Sequence, residues 1–280
     1  MRIVIDVQTL FTNERFRGIG IYTFNWLLSI LNDRNNRYYL IKYKNSKWYF
    51  TIFSSSRSLE SILDNEFLWE EAEPNEFLTN NKINLVMYTS PLMFDIKIPN
   101  IKGDYKIGYI VYDLIPLVLK DNYFNKWSDD IKRIYMERLE KIKCADVILT
   151  ISEATKRDIV QKLKVNEDII KVIYASTKEN IFNLKDKSEA KDYIRKNLKI
   201  SDSFIFSVTG DDLRKNSRGI INSFRLILDK LPSYKLIIAG ILSKNERDLL
   251  YDYVKSINIP EGKVYLLDYI SDELLANLYA

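Results

Sequence analysis

Residues 107–117 read IGYIVYDLIPL. An apolar run of β-branched and aromatic side chains reaches an aspartate, Asp113, and Pro116 stops it, so the stretch reads as a buried strand delivering a carboxylate into a loop. Strands of this make-up belong mostly to parallel sheets covered by helices on both faces, where ligands collect at the carboxyl ends of the strands. Tyr112 and Asp113 would stand at such an end. The alternative is that Asp113 only caps the turn after it.

Working outward, residues 1–10 (MRIVIDVQTL) read as a first strand, followed by a loop to Gly18-Ile19-Gly20 and a helix marked by Ile19, Tyr22, Trp26, Leu27, Ile30 and Leu31. Residues 37–44, 48–53 and 83–88 read as further strands, and 54–81 has room for a helix. Beyond the central stretch, Trp127, Ile131, Ile134, Tyr135, Leu139 and Ile142 recur at helical spacing. Residues 146–151 then give a strand, Ser152 a cap for a helix over 153–163, and 169–174 a last strand. This alternation predicts an α/β fold with a doubly wound sheet.

Residues 175–187 lack periodicity and read as a linker. The scheme then repeats: a helix over 188–198, a strand over 204–209, a loop from Gly210 to Asn216, and a helix with Ile220, Ile221, Phe224, Ile227, Leu228 and Leu231 on its apolar face. A strand ending in Gly240, a helix over 246–256, a strand over 263–267 and a helix capped by Ser271 complete it.

Two loops invite an anion. Gly18 and Gly20 let backbone approach a ligand at a helix start, whose free N–H groups favour a phosphate, although two glycines also make an ordinary tight turn. The Gly210 to Asn216 loop sets Arg214 and Lys215 between a buried strand and a helix, which suits a diphosphate, although alone it also reads as a solvated charged turn.

Composition narrows the chemistry. With 280 residues the chain has room for about two domains, and 46% hydrophobic with 29% charged residues describes a globular protein. No apolar run approaches the ~18 residues of a membrane helix and no signal-peptide pattern opens the chain, so it reads as cytoplasmic. The net charge of +4 is too small to argue for nucleic acid, and suits an anionic ligand or loose contact with an anionic membrane surface. Histidine is absent, which removes the commonest general base and most zinc sites. The single cysteine, Cys144, excludes an internal disulfide, and there is no Asp-x-Asp to hold a metal-bound nucleotide sugar.

Taken together, RGIGIYT (17–23), VYDLIPL (111–117), ADVILTISEATKRDI (145–159), TGDDLRKN (209–216), YKLIIAG (234–240) and VYLLDYISDELLANLY (264–279) resemble, in order and spacing, the retaining glycosyltransferases of family 4. The resemblance implies the GT-B fold of two Rossmann-like domains. An acceptor-binding domain would span 1–178, and an incomplete nucleotide-sugar-binding domain 179–280. It places Gly18, Gly20, Gly210, Arg214, Lys215 and Asn216 near the donor diphosphate, Tyr269 and Ile270 near the base, and Tyr112 and Asp113 on the acceptor side. Lys215 and Asp113 are the catalytic candidates. Many members carry histidine where this chain has Tyr112, and an arginine where it has Gly210.

The expected activity is transfer of a sugar, with retention, from a nucleotide diphosphate sugar to a saccharide or lipid-linked saccharide, without metal or other cofactor. The protein would be cytoplasmic, with peripheral contact at the inner face of the membrane. The sequence stops before the family's Glu-x7-Glu motif, so residues 1–280 alone are expected to transfer little sugar. The alternative is a non-catalytic remnant that binds a glycan or a partner transferase. A dinucleotide oxidoreductase is disfavoured because no full Gly-x-Gly-x-x-Gly follows either first strand.

Overall fold

Side-chain alternation along the strands decides how the helices lie. In β1 (Arg2–Asp6), Ile3 and Ile5 face one layer while Val4 faces the other; in β2 (Arg37–Lys44), Tyr38 and Leu40 oppose Tyr39 and Ile41. The first layer is closed by Tyr22, Trp26, Leu27 and Leu31 of α1 (Gly18–Leu31) and by Leu59, Ile62 and Leu63 of α2 (Leu59–Asp64). Leu78 of α3 (Pro74–Asn80) helps close the second. Both faces are thus apolar and covered, as a parallel sheet requires.

The computed structural model describes residues 1–177, 181–182 and 186–280, in two compact units, Met1–Ser176 and Thr177–Ala280. The division expected between 178 and 179, and part of the 175–187 linker, lie outside the described residues.

The first unit adds β3 (Lys47–Ile52), β4 (Glu70–Glu71), β5 (Leu85–Tyr88), β6 (Lys106–Val111), β7 (Val147–Thr150) and β8 (Ile170–Val172), in the order β4-β3-β2-β1-β5-β6-β7-β8. All neighbours are parallel except β2 with β3 and β3 with β4. The antiparallel edge, not foreseen from the sequence, arises at Asn45 and Ser46, whose φ angles of 50° and 63° make a tight hairpin. Winding runs one way from β1 to β2 and the other way from β1 to β5, so the switch point lies between Asp6 and Tyr88, which are register partners.

The central stretch is indeed a buried strand, but it ends at Val111. Pro116 does not stop it; that proline sits in the first turn of α4 (Ile115–Val118), where its missing N–H costs nothing. Gly108 has a packing reason, since a Cβ there would lie 2.2 Å from the Met87 sulfur and 2.8 Å from Val147. After it come α5 (Asp129–Lys143) and α6 (Glu153–Asp158), the latter capped as expected by the Ser152 hydroxyl, which accepts the Thr155 N–H at 3.2 Å. The strand read over 1–10 is shorter, giving way after Asp6 to 3-10 turns at Gln8–Phe11 and Asn13–Phe16.

The second unit stacks three parallel strands, β9 (Phe204–Val208), β10 (Lys235–Ala239) and β11 (Val264–Leu266), in the order β11-β10-β9. Leu236 and Ile238 face α8 (Ser217–Leu228) and α9 (Lys244–Ser256), while Ile237 faces α7 (Lys187–Leu198) and α10 (Asp272–Tyr279). Ser271 caps α10 through the Leu274 N–H.

Candidate functional site

Two groups of strand ends carry the candidate residues, one in each unit. In the first, a cleft of about 170 Å³ opens between the loop after β5 (Ser90 to Phe94), the end of β6 (Tyr112, Asp113), and Trp127 and Tyr135 beside and on α5, with Ile19 of α1 at its edge. These segments follow β1, β5 and β6, so the cleft lies on the side where a switch point places ligands.

Asp113 serves as the turn cap that the sequence left open, its Oδ1 accepting the Ile115 N–H at 3.0 Å, and it also lines the cleft. Tyr112 lines the cleft with its ring, but its hydroxyl bonds Thr23 Oγ1 at 2.8 Å and donates to the Ile19 carbonyl at 3.3 Å. Burial pushes its pKa well up, so the phenol is a neutral clamp joining β6 to the first turn of α1. Two further cleft residues have buried hydroxyls without a hydrogen bond, Tyr135 OH and Ser90 Oγ. The Ser90 hydroxyl lies beside that of Tyr112, close enough to offset some of the burial on that phenol, yet outside normal hydrogen-bond geometry. Burial, and to a lesser degree the charge of nearby Asp113, raises the Tyr135 pKa. An apolar, aromatic cleft with a carboxylate and two unsatisfied hydroxyls suits a polar ligand with an apolar face. Sequence reading took Tyr135 and Trp127 only as an apolar helix face and did not single out Ser90.

Gly18 and Gly20 differ from each other. A Cβ on Gly20 would lie 2.2 Å from the Glu14 carbonyl oxygen, so this glycine is needed to pack α1 on the preceding turn, whereas a Cβ on Gly18 would meet open space. The cap residue of α1, Arg17, makes no side-chain cap bond.

Asp6 was overlooked. It is fully buried at the end of β1, where Oδ1 accepts the Gln8 backbone and side-chain N–H groups at 3.1 and 2.9 Å and Oδ2 has no partner. Burial raises its pKa from 3.8 to about 7. The Gln8 amide continues to the Lys97 carbonyl at 2.8 Å, and Arg138 of α5 donates to the carbonyls of Met93 and Ile96. The cleft loop is therefore held from both sides.

In the second unit the loops after β9, β10 and β11 are tied together. Asp211 accepts the Ser243 N–H at 3.2 Å, and Arg247 donates to the Ile241 and Leu242 carbonyls and approaches Asp268 at 3.8 Å. Gly240 has φ +96°, and a Cβ would lie 2.7 Å from the Thr209 carbonyl oxygen. Arg214 is clamped by Asp212, through Nε at 3.0 Å and Nη2 at 2.9 Å. Lys215 has no ion pair or hydrogen bond from its side chain among the described residues, and its stem passes Gly210. Asn216, at φ 52°, caps α8 by accepting the Gly219 N–H at 3.2 Å. Tyr269 is largely exposed, and Ile270 packs against the α7 and α10 layer. Arg214 and Lys215 thus share a turn but not a role. Among the described residues no cluster of three or more acidic or cysteine side chains could hold a metal ion, and no helix is long and apolar enough to cross a membrane.

Two Rossmann-like α/β units are also what solved structures share with this chain. Anabaena Alr3699/HepE in complex with UDP-glucose superposes with a TM-score of 0.60 at 12% identity, over 99% of this chain and 71% of that one. UDP-GlcNAc 2-epimerase from Neisseria meningitidis gives 0.52 at 14%, over 99% and 75%. These likenesses establish the fold, of the GT-B class. By sequence the chain is similar to the serotype-specific mannosyltransferase WbdA of Escherichia coli, 21% identical over 187 residues, which is 66% of this chain. It is also similar to an uncharacterized glycosyltransferase of Methanocaldococcus jannaschii, 30% identical over 156 residues, 55% of this chain and 39% of that protein. The chain matches only 23% of the length of WbdA. No known family profile matches it.

Proposed function

We propose that this chain works as a retaining glycosyltransferase of the family 4 type, which moves a sugar from a nucleotide diphosphate sugar to a saccharide or lipid-linked saccharide. The observation that carries this reading is the sequence similarity to proteins named as glycosyltransferases, because the fold alone also serves an epimerase. Polysaccharide glycans are the natural acceptor class, and the enzyme works in the cytoplasm at the inner face of the membrane.

The acceptor sits in the first unit's cleft, its apolar face on Trp127 and its hydroxyls toward Asp113, Ser90 and Tyr135. The donor diphosphate is held by the second unit, where Lys215 and the loop from Gly210 to Asn216 stand before α8, with Arg214 steadied by Asp212 and Tyr269 and Ile270 toward the base. Gly18 and Gly20, at the start of α1, are the first unit's own candidates for a donor phosphate, Gly20 also making room for the turn at Glu14. As the acceptor oxygen bonds the sugar carbon, the bond from that carbon to the diphosphate breaks, a phosphate oxygen takes the acceptor proton, and Lys215 stabilises the departing charge.

The test is calorimetric titration with a panel of nucleotide diphosphates, beside turnover assays with their sugars. Lys215→Ala is expected to weaken diphosphate binding about ten- to a hundredfold, ~1.5–3 kcal/mol. Unchanged affinity in a folded variant would make this loop a solvated turn. Chelation is the second check: in any version of the protein that turns over, activity should survive excess EDTA, and loss that manganese restores would reveal a carboxylate metal site.

A further inference from the structure

We propose that a second groove, separate from the acceptor cleft, docks the first unit on an anionic phospholipid surface. It holds about 320 Å³ and is floored by Leu117, Met136, Leu139 and Leu163, with Lys120, Lys143 and Lys162 around it. Lys143 is paired with Glu140 at 2.6 Å, while the ammonium groups of Lys120 and Lys162 have no carboxylate or hydrogen-bond partner among the described residues. Beside it, Val118 and Leu119 on the α4 turn are 43% and 39% exposed and Met136 is 40% exposed.

Apolar tips among unpaired lysines match the boundary of a bilayer, where aliphatic side chains enter the acyl region and long lysine stems reach the headgroup phosphates. A protein partner fits less well. Protein interfaces favour aromatics and arginine and are poor in lysine, whereas this rim sets three lysines against one carboxylate, Glu140, and its floor is all aliphatic or thioether.

The position gives the groove a use. Pro116 lines the acceptor cleft and Leu117 the groove; on α5, Tyr135 lines the cleft and Met136 the groove. One strap and one helix thus separate the two, so docking here would bring the cleft beside the lipid surface where a lipid-linked acceptor resides.

The test is vesicle co-sedimentation of the chain, with phosphatidylcholine alone and with about a third phosphatidylglycerol. Binding should be at least about tenfold stronger to the anionic vesicles and should fall steeply with added salt. Lys120→Glu with Lys162→Glu should reduce it about tenfold or more, and Val118→Ser with Leu119→Ser several-fold, with circular dichroism unchanged. Lys230→Glu with Lys255→Glu, on the second unit, should have little effect. Soluble glycerol phosphate should not compete. Equal binding to neutral vesicles, equal loss from the control pair, no loss from the groove variants, or displacement by glycerol phosphate would each overturn the proposal. No nucleotide sugar enters this assay, so it fails or succeeds apart from the transferase reading.

Discussion

Asp6→Asn is expected to flatten a fall in the first unit's stability that the burial of Asp6 predicts as pH rises from about 4 to about 8. Asp6 has its pKa raised by burial from 3.8 to about 7, so the native state keeps its proton after the unfolded chain has released it. Over that window the native state binds more protons, and stability declines with pH; below it both states are protonated, and above it both are ionised. The full displacement corresponds to as much as ~4 kcal/mol, of which roughly 2–3 kcal/mol falls between pH 5 and pH 8. Asparagine keeps an oxygen for the two Gln8 donors and cannot ionise, so its advantage over the native residue should grow with pH. Its amide nitrogen would occupy a position where the carboxylate oxygen has no partner, costing about 1–3 kcal/mol at every pH without altering the slope. Urea unfolding of both proteins at pH 5 and pH 8 measures the difference of slopes, in which other titrating groups cancel. Parallel slopes would mean that Asp6 is ionised throughout.

This aspartate also marks where sequence reading stopped. The order of strands and helices was legible because each apolar run has one period and one set of stop signals, and Ser152 and Ser271 cap helices where their position suggested. Two things were hidden. The turn of β3 back against β2 depends on two residues, Asn45 and Ser46, in left-handed conformations that their identities permit but do not demand. The site was only half legible because its residues perform structural tasks as well. Asp113 caps a turn, Asn216 caps a helix, Tyr112 ties β6 to α1, and Gly20 makes room for a backbone turn, so none announces a ligand by type alone. Asp6 and Arg138 did carry a signal, each being a charge inside an apolar pattern: Asp6 ends the run RIVID, and Arg138 interrupts the stripe of Tyr135, Leu139 and Ile142. A charge in such a position must find partners, and partners on a loop mean that the loop is held.

Arg138→Met should therefore loosen the cleft more than it harms the sheet. Arg138 is 9% exposed, and its two terminal nitrogens donate to the carbonyls of Met93 and Ile96, with Phe94 under the guanidinium at 6.0 Å. Each charged hydrogen bond lost costs ~1.5–3 kcal/mol, and relief from burying the guanidinium returns part of it, which leaves about 3 kcal/mol of destabilisation. Methionine nearly fills the space and keeps an apolar contact for the Phe94 ring, so the helix itself should survive. Arg138→Lys should recover only part, because a single ammonium cannot span two carbonyls as the planar fork does. The Gln8 tether to Lys97 remains in both variants, so the loop's far end stays attached while Pro91 to Phe94 are released. Hydrogen exchange should rise in residues 92–96 and hold steady in β1 and β5, and in an active enzyme KM for the acceptor should rise more than kcat falls. Uniform loss of protection across the first unit would assign Arg138 to general stability, and unchanged exchange in the loop would show that the two carbonyls are satisfied without it.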